Sequence, residues 1–76
     1  MLDKHEQWRA LCDEHEVARA GYFANSRMLT DKYARVFQGE HSAKPTEQEI
    51  ARAREAREHW EEVRRRMDEF VLKNAP

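Results

Sequence analysis

The segment "FQGEHSAKPTEQEI", residues 37–50, is the one stretch of this chain that reads as a turn. Gly39 offers the left-handed conformation that closes helix C-termini, and Pro45 has no N–H with which to prolong a helix. Thr46, with Glu49 three residues on, has the pattern of a capping box, in which side chain and backbone satisfy each other's free donors. Glu47 and Glu49 also suit the positive end of a new helix. The residues from Gly39 to Pro45 are too few for anything beyond a helix-to-helix connection. The chain is therefore expected to double back here.

Upstream of the turn, Trp8, Leu11, His15, Ala18, Tyr22, Asn25, Leu29 and Val36 recur at three-four spacing, which puts them on one helix face. Asp3 is the expected N-cap, with Glu6 as its reciprocal partner. The first helix then covers about residues 3–38, roughly 50 Å at ~1.5 Å per residue. Gly21 and the Asn25-Ser26 pair are its weak points, and they define a rival reading with three helices over 3–20, 26–38 and 46–74. The stripe keeps its phase across Gly21, and Tyr22 and Phe23 are poor loop residues, so one continuous helix is expected. Downstream, Ala53, Ala56, Trp60, Val63, Met67 and Phe70 form a second stripe, with Ile50 and Val71 beside it. The second helix covers about 46–73, and Lys73 suits its negative end.

These signals define an all-α fold, an antiparallel two-helix hairpin forming a single domain over residues 1–76. Counting outward from the turn places Tyr33 near Ile50, Leu29 near Ala53, and Tyr22 near Trp60 and Val63. The same count sets Ala18 near Met67 and His15 near Phe70, and large residues tend to face small ones.

One partner helix is too little cover for this pattern. A two-helix seam needs only the a and d positions of a heptad. With Trp8 at a, apolar or semi-apolar residues also stand outside the seam: Cys12, Phe23, Met28, Tyr33 and Phe37 on the first arm, Ile50, Val71 and Leu72 on the second. A bare hairpin would leave Phe23, Phe37 and part of Trp60 against water, a patch that monomers seldom carry. The expected repair is a homodimer packed as a four-helix bundle, or association with a helical protein partner. The residues expected in core and interface are Trp8, Leu11, His15, Tyr22, Phe23, Leu29, Tyr33, Phe37, Ile50, Trp60, Val63, Met67 and Phe70.

Composition bounds the function classes. Of 76 residues, 38% are charged and 39% hydrophobic, with two glycines and two prolines, the profile of long amphipathic helices. The net charge of −1 comes from interleaved acids and bases, which makes no field of one sign to gather nucleic acid or a membrane surface. No run approaches the ~20 apolar residues of a membrane span. The opening "MLDKHEQW" lacks the apolar core of a secretory signal. The lone Cys12 has no partner for an internal disulfide, so a cytoplasmic, reducing location is expected.

Few residue clusters suggest chemistry. In "HEQWRALCDEHE", Cys12 and His15 share a helix face at a spacing that suits two metal ligands, but His5 lies about 10 Å along the axis. A metal site would need ligands from two protomers; a small buried cysteine and a seam histidine explain the pair without one. His15 among apolar neighbours raises a pH-sensitive interface, with a hydrogen-bonded neutral imidazole as the plainer reading. Asn25 in the seam is expected to fix register. The segment "ARAREAREHWEEVRRRM" invites a nucleic-acid reading, but Arg54 has Glu58 one turn away, Arg57 has Glu61, Arg65 has Glu61 and Glu69, and Arg66 has Glu62. Paired charges of this kind mark a solvated face. No catalytic triad pattern and no glycine-rich phosphate loop is present. The sequence therefore predicts a non-enzymatic interaction or adaptor protein, with no cofactor, metal or small-molecule substrate. The alternative is a small nucleic-acid-associated regulator using the arginines of the second helix.

Overall fold

A computed structural model describes residues 3–75. Helix α1 runs Lys4–Phe37, a single 3-10 turn covers His41–Ala43, and helix α2 runs Glu47–Asn74. The two helices lie side by side in a rod of 56 × 18 × 16 Å. The hairpin is as expected, with each helix boundary within one residue of its predicted place.

The ends are set by the residues that the sequence offers for them. Asp3, in extended conformation, accepts the Glu6 N–H at 2.8 Å. The reciprocal bond of a capping box is seen only on α2, where Thr46 Oγ1 accepts the Glu49 N–H and Glu49 accepts the Thr46 N–H. At the far end of α1, Gly39 takes φ +98. The N–H of Gly39 then reaches the Val36 carbonyl and that of Glu40 the Arg35 carbonyl, both at 3.0 Å, the paired bonds of a Schellman motif. Pro45, just before the cap, is buried against the hairpin.

Helix α1 is continuous through Gly21–Ser26, and the three-helix alternative does not form. Asn25 explains part of this. Its Nδ2 donates to the Gly21 carbonyl at 2.8 Å, and Thr30 Oγ1 likewise donates to the Ser26 carbonyl at 3.0 Å. Residues that could have capped a new helix instead bond back one turn along the old one. Asn25 was expected to fix register across the seam, but the bond its side chain makes runs back within α1.

Two ion pairs cross the hairpin. Lys32 Nζ donates to Glu49, and the Arg66 guanidinium donates to Glu14. These pairs mark which residues stand level, and the open end is displaced by about one turn from the outward count. His15 consequently meets Trp60, not Phe70, and Phe70 stacks on Trp8 with ring centroids 5.8 Å apart. Large does not always face small either: Tyr22 and Trp60 stack at 5.0 Å and 21°.

Candidate functional site: the aromatic face

The core of this rod is thin. Val63 is wholly enclosed and Ala18 nearly so, while the remaining seam residues are half-buried: Trp8, Leu11, His15, Tyr22, Leu29, Ile50, Trp60, Met67 and Phe70. Three of the expected interface residues stand clear of the seam, Phe23 and Tyr33 at 48% exposure and Phe37 at 95%. The expected proximity of Tyr33 to Ile50 thus leaves Tyr33 largely in solvent. Val17, Val71 and Leu72 are exposed as well.

Trp60 is the centre of the arrangement. Its ring lies on Tyr22, sits 5.9 Å from Phe23, and carries the Arg64 guanidinium above it at 5.3 Å. Its Nε1–H donates to His15 Nε2 at 3.0 Å. A single indole therefore spans two successive heptad positions of α1, Tyr22 and His15. That bond requires His15 Nε2 to carry a lone pair, as in the neutral tautomer protonated at Nδ1. Arg19 lies over Phe23 at 5.0 Å, so Arg19, Phe23, Trp60 and Arg64 stand on one face of the hairpin. Shallow depressions open along the same face, one bordered by Tyr22, Leu29, Ile50 and Arg57, the other by Trp8, His15, Met67 and Val71.

The opposite long face is of another kind. With Trp8 at heptad position a, Glu14 and Lys32 fall on the d/g side of α1, away from the a/e side that carries the rings. The ion pairs Lys32–Glu49 and Glu14–Arg66 close the seam there. The bond from Lys32, with the Thr46 backbone, holds the Glu49 carboxyl down from 4.5 to about 2. Neither crossing pair is among the contacts expected from the sequence, whose stripes leave out Lys32, Glu49, Glu14 and Arg66. Their signal was present, because Lys32 continues the three-four spacing between Leu29 and Val36.

Along α2 the exposed charges form local ion pairs. Arg57 reaches Glu61 at 3.8 Å, and Arg65 is held by both Glu62 and Glu69. The hydrogen bond from Arg65 pulls the Glu62 carboxyl below its ordinary range. Of the pairs expected from spacing, Arg57–Glu61 and Arg65–Glu69 form. Arg65 takes Glu62 in place of Glu61, since its fork reaches both turns, and Arg66 leaves Glu62 for Glu14 across the seam. Arg54–Glu58 is not formed.

Among the described residues, no three His, Cys, Asp or Glu side chains gather as metal ligands do, and no helix is long and apolar enough to cross a membrane. Cys12 is a half-buried free thiol, and the His15 Nε2 lone pair that a metal would take is engaged by Trp60. No protein-family model, curated protein or solved structure matches this chain.

Proposed function

We propose that this protein is a helical interaction module whose aromatic face is covered, in the working assembly, by helices of another chain. The observation that supports it most is the apolar surface left open along one face, where Phe23 is 48% exposed and Tyr22 and Trp60 are only partly covered, while the enclosed apolar side chains among the described residues are Ala18, Val63 and, at the turn, Pro45. Burying apolar surface releases ~25 cal/mol per Å², so a stacked aromatic ridge left partly in water is a strong site for a second set of helices. A second hairpin in that role gives a four-helix bundle with the ridges inside. The function that follows is adaptor-like: binding through helix packing, with no bond made or broken.

The rival reading is a nucleic-acid surface, drawing on Arg54, Arg57 and Arg64 beside the rings. Phosphates would there have to compete with Glu61, 3.8 Å from Arg57, and would face Glu16 and Asp68 nearby. Protein helices suit such mixed charge better than a polyanion does.

Sedimentation equilibrium over micromolar to submillimolar concentration tests the self-associating form. The expected result is a rise from the 9.1 kDa chain mass to twice that value. A cooperative thermal melt from a species that stays monomeric throughout would remove the need for a second chain and overturn the proposal.

A further inference from the structure

We infer that the chain covering the aromatic face is a second copy laid with its turn at the same end. The two-fold axis then runs parallel to the helices, and α1 of each copy lies antiparallel on α2 of the other. This rests on the self-association proposed above and specifies its geometry.

The arginines decide the orientation. Arg19, Arg57 and Arg64 occupy the positions that flank the seam on the aromatic face, and none has a strong partner. Arg19 approaches Glu16 only to 4.0 Å and Arg57 approaches Glu61 to 3.8 Å, while Arg64 lies over the Trp60 ring. Two kinds of two-fold axis can set this face against its own copy. If the axis crosses the helices, the turns lie at opposite ends and each helix meets its own copy antiparallel. Full overlap of α2 with its copy then sets Arg57 opposite the partner's Arg64, and Arg64 opposite the partner's Arg57. Four guanidinium groups would gather at the centre of the interface, where like charges cost most.

If the axis runs along the helices, every residue keeps its height, so the register of the assembly is inherited from the hairpin. Within the hairpin, Glu14 stands level with Arg66 and Lys32 with Glu49. About half a turn further in, Glu16 stands level with Arg64, and about one and a half turns in, Arg19 stands level with Glu61. Across the axis the same levels bring Glu16 to the partner's Arg64 and Arg19 to the partner's Glu61, each twice by symmetry. Arg57 arrives beside the partner's Phe23, a cation over an aromatic face. Each arginine on the face thus acquires an acid or a ring of the partner at its own height.

The test places one nitroxide label per chain at the turn, on S42C in a Cys12→Ala background, and reads the distance between labels in the assembly by pulsed electron resonance. Turns at the same end put the labels within about 30 Å, two packed helices at ~10 Å spacing plus the label arms. A distance near the 56 Å length of the rod would overturn this orientation while leaving self-association standing. A monomeric mass for the labelled chain and for the unlabelled wild type would overturn both. An independent reading comes from charge exchange. E16R or R64E alone should weaken the assembly roughly tenfold or more, and the E16R/R64E pair should restore it. Failure of the double exchange to recover affinity, with its helicity intact, would sink the Glu16–Arg64 contact and the arrangement with it.

Discussion

Trp60→Ala should remove a large part of the stability of this fold. A tryptophan that buries most of ~200 Å² contributes roughly 3–4 kcal/mol at ~25 cal/mol per Å². Its stack on Tyr22 adds about 1 kcal/mol and its bond to His15 about 1 kcal/mol. These contributions overlap, and truncations of this type cost ~3–5 kcal/mol in practice. A chain of this length has a total stability on the order of 4–11 kcal/mol, so the variant should be at or near the edge of folding. The assay is urea unfolding followed by helical circular dichroism at one fixed protein concentration, because the proposed association would make the midpoint concentration-dependent. Trp60→Phe serves as the internal control. It keeps a ring on Tyr22 but loses the N–H, so it should cost far less, with about 1 kcal/mol of the loss coupled to His15 in a double-mutant cycle. A Trp60→Ala midpoint displaced by less than about 1 kcal/mol would refute the seam described here.

Three further substitutions probe the local structure. Gly21→Ala should stabilise the hairpin by about 1 kcal/mol and raise the melting temperature by several degrees, because a Cβ there meets nothing within 4 Å; an unchanged or lower melt would count against the continuous helix. Gly39→Ala should do the reverse, costing roughly 1–2 kcal/mol, since φ +98 is strained for any residue with a Cβ; equal melts would mean that the turn does not close as described. Glu49→Gln keeps an acceptor for the Thr46 cap but removes the charge facing Lys32. The folded carboxyl at about 2 lies below its ordinary 4.5, so its contribution is full above that ordinary value and is lost as pH falls toward 2. Wild type should therefore lose stability faster than Glu49→Gln over that window, and parallel curves would dispose of the ion pair.

The hairpin was legible because its punctuation is chemical. Gly39, Thr46 and Glu49 each have one dominant local use, and each is put to it. The continuity of α1 was legible from phase: a stripe that survives Gly21 without slipping belongs to one helix. Register was not legible, because apolar residues at three-four spacing fit a partner equally well after a slide of one turn. What breaks the tie is the placement of Lys32, Glu49, Glu14 and Arg66, polar residues that a count of apolar positions passes over. Asn25 was misread for a related reason. Its position in the stripe suggested a contact across the seam, whereas the carbonyl of Gly21, one turn back in its own helix, is nearer.

Those four charges do more than close one face. Sliding α2 by a turn in one direction would bring Arg66 level with Ala18 and Glu14 level with Phe70. Sliding it the other way would set Glu14 against Val63 and Lys32 against Pro45. Each slide separates both ion pairs and leaves Lys32 and Glu49, the more covered of the four, without a partner at their level. Apolar packing alone tolerates slippage, while a pair of charges at each end of the seam does not. The same restraint reaches the proposed assembly, whose axis along the helices transmits heights unchanged from one copy to the other. A hairpin with its ion-paired face in register presents its aromatic face in register too, and in the proposed assembly Glu16 and Arg19 would then meet their partners' charges without a separate device to align the two chains.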